Sequence, residues 1–326
     1  MFTHKDVEFR SIFVINCLEH RTLRVSNGEL MLEETSEEGV KTLTKLPFQK
    51  ILMLFVIGHI SITTPLIEKC KKFNVGLVVT NLSLRPVFFE SNSAESNFLL
   101  RKKQHALPKE DIRIAKVLVG NKIANQLALL QKTRLKDKQT LKAEQICEKA
   151  LLIVDRQKDY NRLMSVEGNV SKVFFSAYFQ NLDWQKRQPR VKNDAINSTL
   201  DIGYTILFNY VECFVRMFGF DVYVGVYHRL WFRRKSLICD LVEPFRCIID
   251  RAVRTAFNRK QFSDKDFNVV KGEWRLKYEK NKDYCKVFFD ALLPYKMEIF
   301  KYVQSYYRCF MRGADSASYP KFLILC

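Results

Sequence analysis

The chain has 326 residues, of which 47% are hydrophobic and 13% aromatic. This length and composition suit about two globular domains and exclude a disordered or fibrous chain. Lys and Arg number 54 against 35 Asp and Glu, and residues 93–326 hold 43 of the basic side chains but only 25 of the acidic ones. Such an excess is typical of proteins that bind an anionic polymer or an anionic membrane, since neutralising phosphates releases counterions. A basic surface that serves solubility alone is the alternative.

Cysteine usage and hydropathy indicate the compartment. The nine cysteines are scattered, odd in number and contain no CxxC pair, a pattern that favours reduced thiols inside the cell. No run reaches the roughly 18 apolar residues that a membrane span needs. Residues 1–6 lack the apolar core of a signal peptide. We therefore expect a cytoplasmic protein with no membrane partner.

Residues 7–90 show the pattern of short strands rich in β-branched and aromatic residues and separated by turn residues. One helix interrupts them, because a proline suited to a first turn is followed by apolar residues at helical spacing in 65–73. The acidic stretch 33–39 is interpreted as a solvated turn rather than a metal site. Residues 1–92 are thus predicted to form a small β-rich domain. Its predicted strands are 11–15, 52–57, 59–63 and 75–80.

Helices are predicted from the polar run 91–97 onward. Apolar residues recur at intervals of three and four in 98–131 and again in 135–163. A further helix is predicted over 197–218, after the polar connector 183–194. Residues 93–326 therefore read as a larger all-helical domain, and the predicted fold class is α+β.

Glu167 lies at a position where a charge needs a partner. Its spacing from Leu163, Val170 and Phe174 places it beside the apolar stripe of a predicted helix. A carboxylate there requires a cation or hydrogen bonds, so either a metal ion or a basic side chain faces it. The adjacent Gly168 weakens a helix by about 0.5–1 kcal/mol relative to alanine, which is understandable if another group approaches the backbone closely.

A histidine and two acids follow in the second half of the chain. His228 ends a mostly apolar run, where a lone histidine is more often a packed or surface residue than a metal ligand. Asp240 and Glu243 are three residues apart and share one side of a predicted helix, with Pro244 suited to its first turn. Acids at a helix start also serve as caps. Together with Glu167, these groups form a set suited to a divalent metal that also binds a phosphate oxygen.

In combination and order, these segments resemble one known family, the Cas-one endonucleases, which are the integrases of CRISPR adaptation. The resemblance covers about residues 45–255, and residues from about 262 onward match least. Besides the acids and the histidine, it rests on blocks at 99–104, 115–126, 164–175, 187–207, 219–228 and 236–246.

The resemblance implies a site and a domain organisation. Glu167, His228 and Glu243 would coordinate Mg²⁺ or Mn²⁺, with Asp240 as a supporting catalytic acid that could exchange roles with Glu243. Residues 1–92 would form a dimerisation domain and residues 93–326 the helical metal-binding catalytic domain.

The resemblance also implies an activity and partners. The enzyme would join the 3′-hydroxyl ends of short DNA duplexes, called prespacers, to a CRISPR repeat array by transesterification, and it would also cleave DNA. Implied partners are double-stranded DNA, a second copy in a homodimer or dimer of dimers, and the small Cas-two protein.

Basic residues that flank the acids in sequence are candidates for DNA contact, because Lys and Arg hold the phosphate backbone without reading bases. Each of them taken singly is also consistent with an ordinary surface charge. The candidates are Arg187, Arg190, Lys192, Arg229, Arg233, Arg234 and Arg246.

Two other functions stay open. In one, the chain is a non-catalytic basic protein that binds nucleic acid, and its acids form structural ion pairs. In the other, it is a purely hydrolytic metal-dependent nuclease with the same site and with water as the nucleophile.

Overall fold

The computed structural model describes residues 3–17, 21–90, 96–108, 110–134, 136–182, 184, 186–228 and 230–324. Its N-terminal part is β-rich and its C-terminal part mostly helical, which confirms the predicted fold class. In chain order the first part consists of α1 (His4–Phe9), β1 (Ser11–Cys17), β2 (Arg21–Ser26), β3 (Glu29–Ser36), β4 (Gly39–Pro47), β5 (Ile51–Gly58), α2 (Thr64–Lys72), β6 (Gly76–Thr80) and β7 (Pro86–Glu90).

The main sheet has the strand order β1-β5-β6-β7. Strands β1, β5 and β6 are parallel, and β7 is antiparallel to β6. Because a parallel connection requires a crossover, α2 links β5 to β6. Strand β5 is buried along its whole length, as expected for a strand covered on both faces. Strands β2, β3 and β4 form a separate antiparallel sheet.

Most of the predicted elements of this part are confirmed, and two differ. Residues 59–63 are not a strand, because Gly58 adopts a φ of 115° at the end of β5 and the chain leaves the sheet there. Their two isoleucines instead pack against the core beneath the sheet. The acidic stretch 33–39 forms a turn only at its tip. Glu33 lies in β3, where its carboxylate is 2.6 Å from Arg24 Nη2.

The second part contains helices and one hairpin, which the sequence analysis did not predict. In chain order its elements are α3 (Phe98–His105), α4 (Arg113–Gln131), α5 (Lys138–Val154), α6 (Tyr160–Tyr178), α7 (Ala195–Arg216), α8 (Ser236–Val242), α9 (Arg246–Asn258), β8 (Phe267–Val270), β9 (Glu273–Leu276), α10 (Asn281–Leu292) and α11 (Lys296–Arg312). None of the helices that the structure describes is both long and apolar enough to cross a membrane.

The two parts share one hydrophobic core. Phe55 of β5 stacks on Tyr210 of α7, with ring centroids 6.1 Å apart, and also approaches Phe289 of α10 at 5.3 Å. Asn209 of α7 donates a hydrogen bond to the carbonyl of Leu84 at 2.9 Å. The predicted boundary between residues 92 and 93 lies outside the described residues, so it stays a prediction. The contacts indicate that the sheet and the helices support one another.

Residues 320–324 form an extended segment that is clamped onto α4; we call this arrangement the tail clamp. Asn121 accepts the N–H of Phe322 at 2.8 Å, and Asn125 donates to the Phe322 carbonyl at 2.8 Å. Asn125 also donates to the carbonyl of Pro244 at 3.0 Å. The tail clamp therefore joins α4 to the segment between α8 and α9.

Candidate metal centre

Two carboxylates converge on one ammonium group inside the helical part. Lys122 of α4 forms ion pairs with Glu167 of α6 and with Glu243, and its Nζ lies 2.8 Å from Glu243 Oε2. Ser171, one turn after Glu167, donates to the Glu167 carboxylate at 3.1 Å. The side chains of Lys122, Glu167 and Glu243 are only 12%, 19% and 5% exposed. We call Glu167 and Glu243 the acid pair.

Helix α4 places Lys122 between the acids because it packs against both α6 and the turn at 243–245. Lys122 follows Ala115 by seven residues and Leu118 by four, and it precedes Gln126 by four; all three neighbours are buried. A lysine in the middle of such a stripe cannot reach bulk water easily, so acids must compensate its charge. Sequence reasoning missed Lys122, although this spacing is a signal that could have found it.

The two acids near residue 240 face different partners. The sequence predicts that Asp240 and Glu243 share one side of a helix start. In the structure, α8 ends at Val242, Glu243 and Pro244 form a single 3₁₀ turn, and α9 begins at Arg246. The change of helix type separates the two carboxylates, so Glu243 faces Lys122 while Asp240 faces the loop before α8.

Strong electrostatic compensation surrounds Glu243. Burial acts to raise the pKa of its carboxyl, but Arg246, Lys122 and His228 outweigh burial and lower the pKa to about 2. The Nε of Arg246 lies 3.0 Å from Glu243 Oε1. Burial likewise acts to lower the pKa of Lys122, but Glu243 and Glu167 outweigh it and raise the pKa. Glu243 and Lys122 are therefore both ionised at neutral pH.

Asp240 holds the imidazole of His228 and the backbone next to it. Its carboxylate is fully buried and accepts the backbone N–H groups of Val226, Tyr227 and His228 at 2.6, 3.0 and 2.8 Å. The Nδ1 of His228 lies 2.7 Å from Asp240 Oδ1. Because a carboxylate accepts, Nδ1 carries the proton, and Nε2 is the ring nitrogen left for a metal ion. Asp240 thus acts through His228.

Gly225 allows the loop to close over Asp240. A Cβ at this position would lie 2.6 Å from Asp240 Oδ2 and 2.8 Å from the backbone carbon of Ser236. Gly168, in contrast, has nothing within 4 Å of such a Cβ, and it lines an open groove. The close approach to the backbone that the sequence suggests at Gly168 is therefore not made by the described residues.

The donor chemistry fits Mg²⁺ or Mn²⁺. Two carboxylates already meet at one cation, and the nearby imidazole has its second nitrogen fixed by an acid. Apart from its contact with Lys122, the buried Oε2 of Glu243 has no hydrogen bond of regular geometry to the described residues. Among those residues, no three His, Cys, Asp or Glu side chains are grouped to enclose an ion as they stand. The ammonium of Lys122 lies between the carboxylates, so an ion that binds there must displace it.

The acid pair opens into a groove of about 2370 Å³, whose lining includes six of the seven basic candidates. Arg187 pairs with Asp201 at 2.5 Å, and Arg246 pairs with Glu243, so both make internal ion pairs. Arg229 lies outside the described residues, and His228 is not part of the groove lining. The other lining candidates are Arg190, Lys192, Arg233 and Arg234.

Two aromatic side chains that the sequence analysis did not single out also line the groove. Trp231 and Phe232 are 75% and 81% exposed. Leu230 beside them is 60% exposed, so the three form an exposed apolar run next to basic residues of the groove.

Comparison with known proteins identifies the family that the sequence motifs resemble, and the match extends along most of the chain. The family model described as CRISPR associated protein Cas1 matches residues 17–289. A CRISPR-associated endonuclease Cas1 from Thermodesulfovibrio yellowstonii is 29% identical over 233 residues, which are 68% of this chain and 73% of that protein. A second one, from Thermus thermophilus, is 27% identical over 277 residues, which are 82% of this chain and 80% of that protein.

Solved structures share the fold. A Cas6-RT-Cas1–Cas2 complex contains a chain with a TM-score of 0.79 and 18% identity; the match covers 98% of the present chain but only 36% of that longer chain. A casposase bound to integration product matches with a TM-score of 0.76 and 19% identity, over 96% of this chain and 94% of the casposase. A CAS1 protein from Thermotoga maritima matches with a TM-score of 0.75 and 20% identity, over 93% and 98% of the two chains. With its β-rich first part, its helical second part and a family match over 17–289, this chain belongs to the CRISPR-associated Cas1 family.

Proposed function

We propose that this chain is a metal-dependent DNA endonuclease and integrase of CRISPR adaptation. The observation that carries the proposal is the convergence of Glu167 and Glu243 on a single cation at the wall of a basic groove. Relatives across most of the chain are named CRISPR-associated endonucleases, which supports cleavage of DNA. The shared fold with a casposase bound to integration product supports strand transfer.

In this proposal, Glu167, Glu243 and the Nε2 of His228 would hold Mg²⁺ or Mn²⁺. When bound, the ion would supply Lewis-acid stabilisation of the negative charge that develops on a phosphate oxygen. Asp240 fixes the tautomer and the direction of the imidazole through Nδ1. The candidates that hold the DNA backbone are Arg190, Lys192, Arg233 and Arg234.

The two activities differ in the nucleophile. In strand transfer, the 3′-hydroxyl of a donor duplex attacks a phosphorus of the target strand. A new P–O bond forms and the target's bond between phosphorus and its 3′-oxygen breaks. The attacking hydroxyl gives its proton to solvent, and the departing 3′-oxygen takes a proton from solvent to leave as a hydroxyl. In cleavage, water takes the place of the donor hydroxyl. Trp231 and Phe232 suit unpaired bases near the site, because exposed aromatic rings stack on any base.

Partners follow from the same resemblance. The fold is shared with chains of Cas6-RT-Cas1–Cas2 complexes, which supports a Cas2 protein as a partner. A homodimer, or a dimer of dimers, would bring two such sites to the two ends of one donor duplex.

One observation favours the non-catalytic alternative, in which the protein only binds nucleic acid. Both acids of the pair already have basic partners within the chain, as structural ion pairs would.

A single experiment separates the functions. The protein is incubated with Mn²⁺, a labelled duplex with free 3′-hydroxyl ends and a supercoiled plasmid. Label joined to the plasmid supports the integrase, and cut DNA without joining supports the purely hydrolytic nuclease. Bound but unaltered DNA, with no effect of chelator, would overturn metal-dependent catalysis.

A further inference from the structure

We propose that Lys122 is an internal counter-cation that competes with the divalent metal for the acid pair and is released toward bound DNA when the metal binds. The proposal rests on the proposed function. Because Lys122 changes partner, metal binding strengthens DNA binding and DNA binding strengthens metal binding. This coupling depends on one side chain.

The first step is the position of the ammonium group. Lys122 contacts both Glu167 and Glu243, and the three side chains are mostly buried. Carboxylates that face one point repel each other unless a cation lies between them. In the structure, that cation is Lys122.

The second step is competition. The contacts of the Lys122 ammonium that the structure describes are those with the acid pair. A metal ion that binds both carboxylates must occupy the same space, so it must first break these two contacts. The DNA-free protein therefore binds metal more weakly than the same two carboxylates and imidazole would if the lysine were absent.

The third step is where the ammonium goes. Lys122 lines the same groove as the acid pair, and a lysine has a flexible four-carbon stem with three rotatable donors. Once displaced, it becomes an unpaired cation at the groove wall, beside the place where a phosphate would meet the metal. A phosphate oxygen compensates that charge, so bound DNA replaces the carboxylates as the negatively charged partner of Lys122. By linkage, DNA then tightens metal binding by the same factor as metal tightens DNA binding.

The test measures Mn²⁺ affinity by titration calorimetry on the full chain, with and without a short DNA duplex. Lys122→Met removes the charge at nearly constant volume, and Lys122→Gln is a second neutral variant in case the first fails to fold. Lys122→Arg keeps the charge. Lys172→Met is the matched control, because Lys172 is an exposed lysine in the same groove and has no contact with the acid pair in the described structure.

Without DNA, the neutral variants should bind Mn²⁺ about tenfold more tightly than wild type, a difference of about 1.4 kcal/mol. Lys122→Arg and Lys172→Met should stay near the wild-type affinity. With DNA, the wild-type affinity should increase several-fold, whereas that of the neutral variants should change little. A thermal melt adds a reading that is independent of affinity: Lys122→Met should melt below wild type without metal, and Mn²⁺ should narrow the difference.

Unchanged or weaker Mn²⁺ binding in both neutral variants, with normal binding by wild type, would overturn the role of Lys122 and leave the proposed function intact. Absence of Mn²⁺ binding in wild type and in every variant, with or without DNA, would overturn the metal site itself and this inference with it.

Discussion

The Nδ1 of His228 lies 2.7 Å from Oδ1 of Asp240, whose carboxylate also accepts three consecutive backbone N–H groups. Asp240→Asn keeps the shape but replaces one acceptor with a donor that faces other donors. We expect a loss of about 10–100-fold in Mn²⁺ affinity, the usual effect of removing the group that orients a metal-binding histidine. Calorimetry measures it. Asp290→Asn, at an exposed ion pair on α10, is the control and should leave the affinity unchanged.

Removal of a proposed metal ligand should abolish chemistry but not binding. Glu167→Ala or His228→Ala should lower strand transfer and cleavage by a factor on the order of 100 to 1000. In buffer without divalent metal, DNA binding should stay close to wild type, because the groove keeps its basic residues. Gel assays measure the joined and cut DNA products, and anisotropy measures DNA binding. Glu148→Ala, at an exposed acid on α5, should have no effect. Equal activity in the ligand variants and wild type would refute the assignment of the site.

Two glycine substitutions should have opposite effects on stability. Gly225→Ala places a Cβ 2.6 Å from Asp240 Oδ2, so the loop before His228 must shift, at a cost on the order of 1–3 kcal/mol in the free energy of unfolding. Gly168→Ala meets nothing within 4 Å in a helix and should stabilise the free protein by about 0.5–1 kcal/mol. Urea unfolding of both variants beside wild type measures the difference. Equal effects of the two changes would contradict the close approach at Gly225.

Asp250 should make stability depend on pH. Burial raises the pKa of its carboxyl from 3.8 to about 7, even though Tyr204, Arg246, Lys122 and Arg187 act to lower it. A raised carboxyl pKa means that the folded state favours the protonated form. This group's contribution to stability is therefore greatest below pH 3.8 and is lost as the pH rises to 7.

Asp250→Asn removes the cost of ionising this buried carboxyl. At pH 8 the variant should exceed wild type in free energy of unfolding by on the order of 2 kcal/mol, and near pH 4 the advantage should disappear. Chemical unfolding at both pH values provides the measurement. Asp283→Asn, at an exposed position at the start of α10, is the control. An advantage of Asp250→Asn that is equal at the two pH values would contradict the raised pKa.

The tail clamp should contribute strongly to stability. Phe322 is 5% exposed, and its ring packs 4.7 Å from that of Phe245, so Phe322→Ala should cost about 3–5 kcal/mol. Leu323→Ala is the matched control in the same segment, since Leu323 is 66% exposed and should change stability by less than about 0.5 kcal/mol. Thermal or urea unfolding distinguishes them. Similar losses in both variants would show that the segment contributes through something other than the buried ring.

Local periodicity explains which features of the fold and the site the sequence could predict. The spacing of Leu163, Val170 and Phe174 places Glu167 at the edge of a buried stripe, and α6 has that stripe. The β-branched composition also indicated 59–63 as a strand, but the left-handed backbone of Gly58 takes those residues out of the sheet. Composition indicates a preference for extended structure and does not specify whether a neighbouring strand is available.

Contacts between distant residues account for what the sequence could not predict. The partner of Glu167 lies 45 residues earlier, on α4. Asp240 accepts the backbone N–H groups of residues 226–228 where Gly225 permits a close approach. Arg187 appeared as a DNA contact from its place beside the acids in sequence, yet in the fold it pairs with Asp201. Each relation depends on how the helices pack, which no local spacing encodes.

The tail clamp also bears on the order in which the protein matures during its synthesis. Asn121 contacts Phe322 across 201 positions, and the same helix carries Lys122 to the acid pair. The ribosome delivers Glu167, His228 and Glu243 well before it delivers residue 322. Until then, α4 lacks the contacts of its two asparagines with Phe322, although it already packs directly on the 243–245 turn. A nascent chain would therefore carry all its proposed metal ligands before the helix that bears Lys122 has the full set of contacts that hold it in the finished protein.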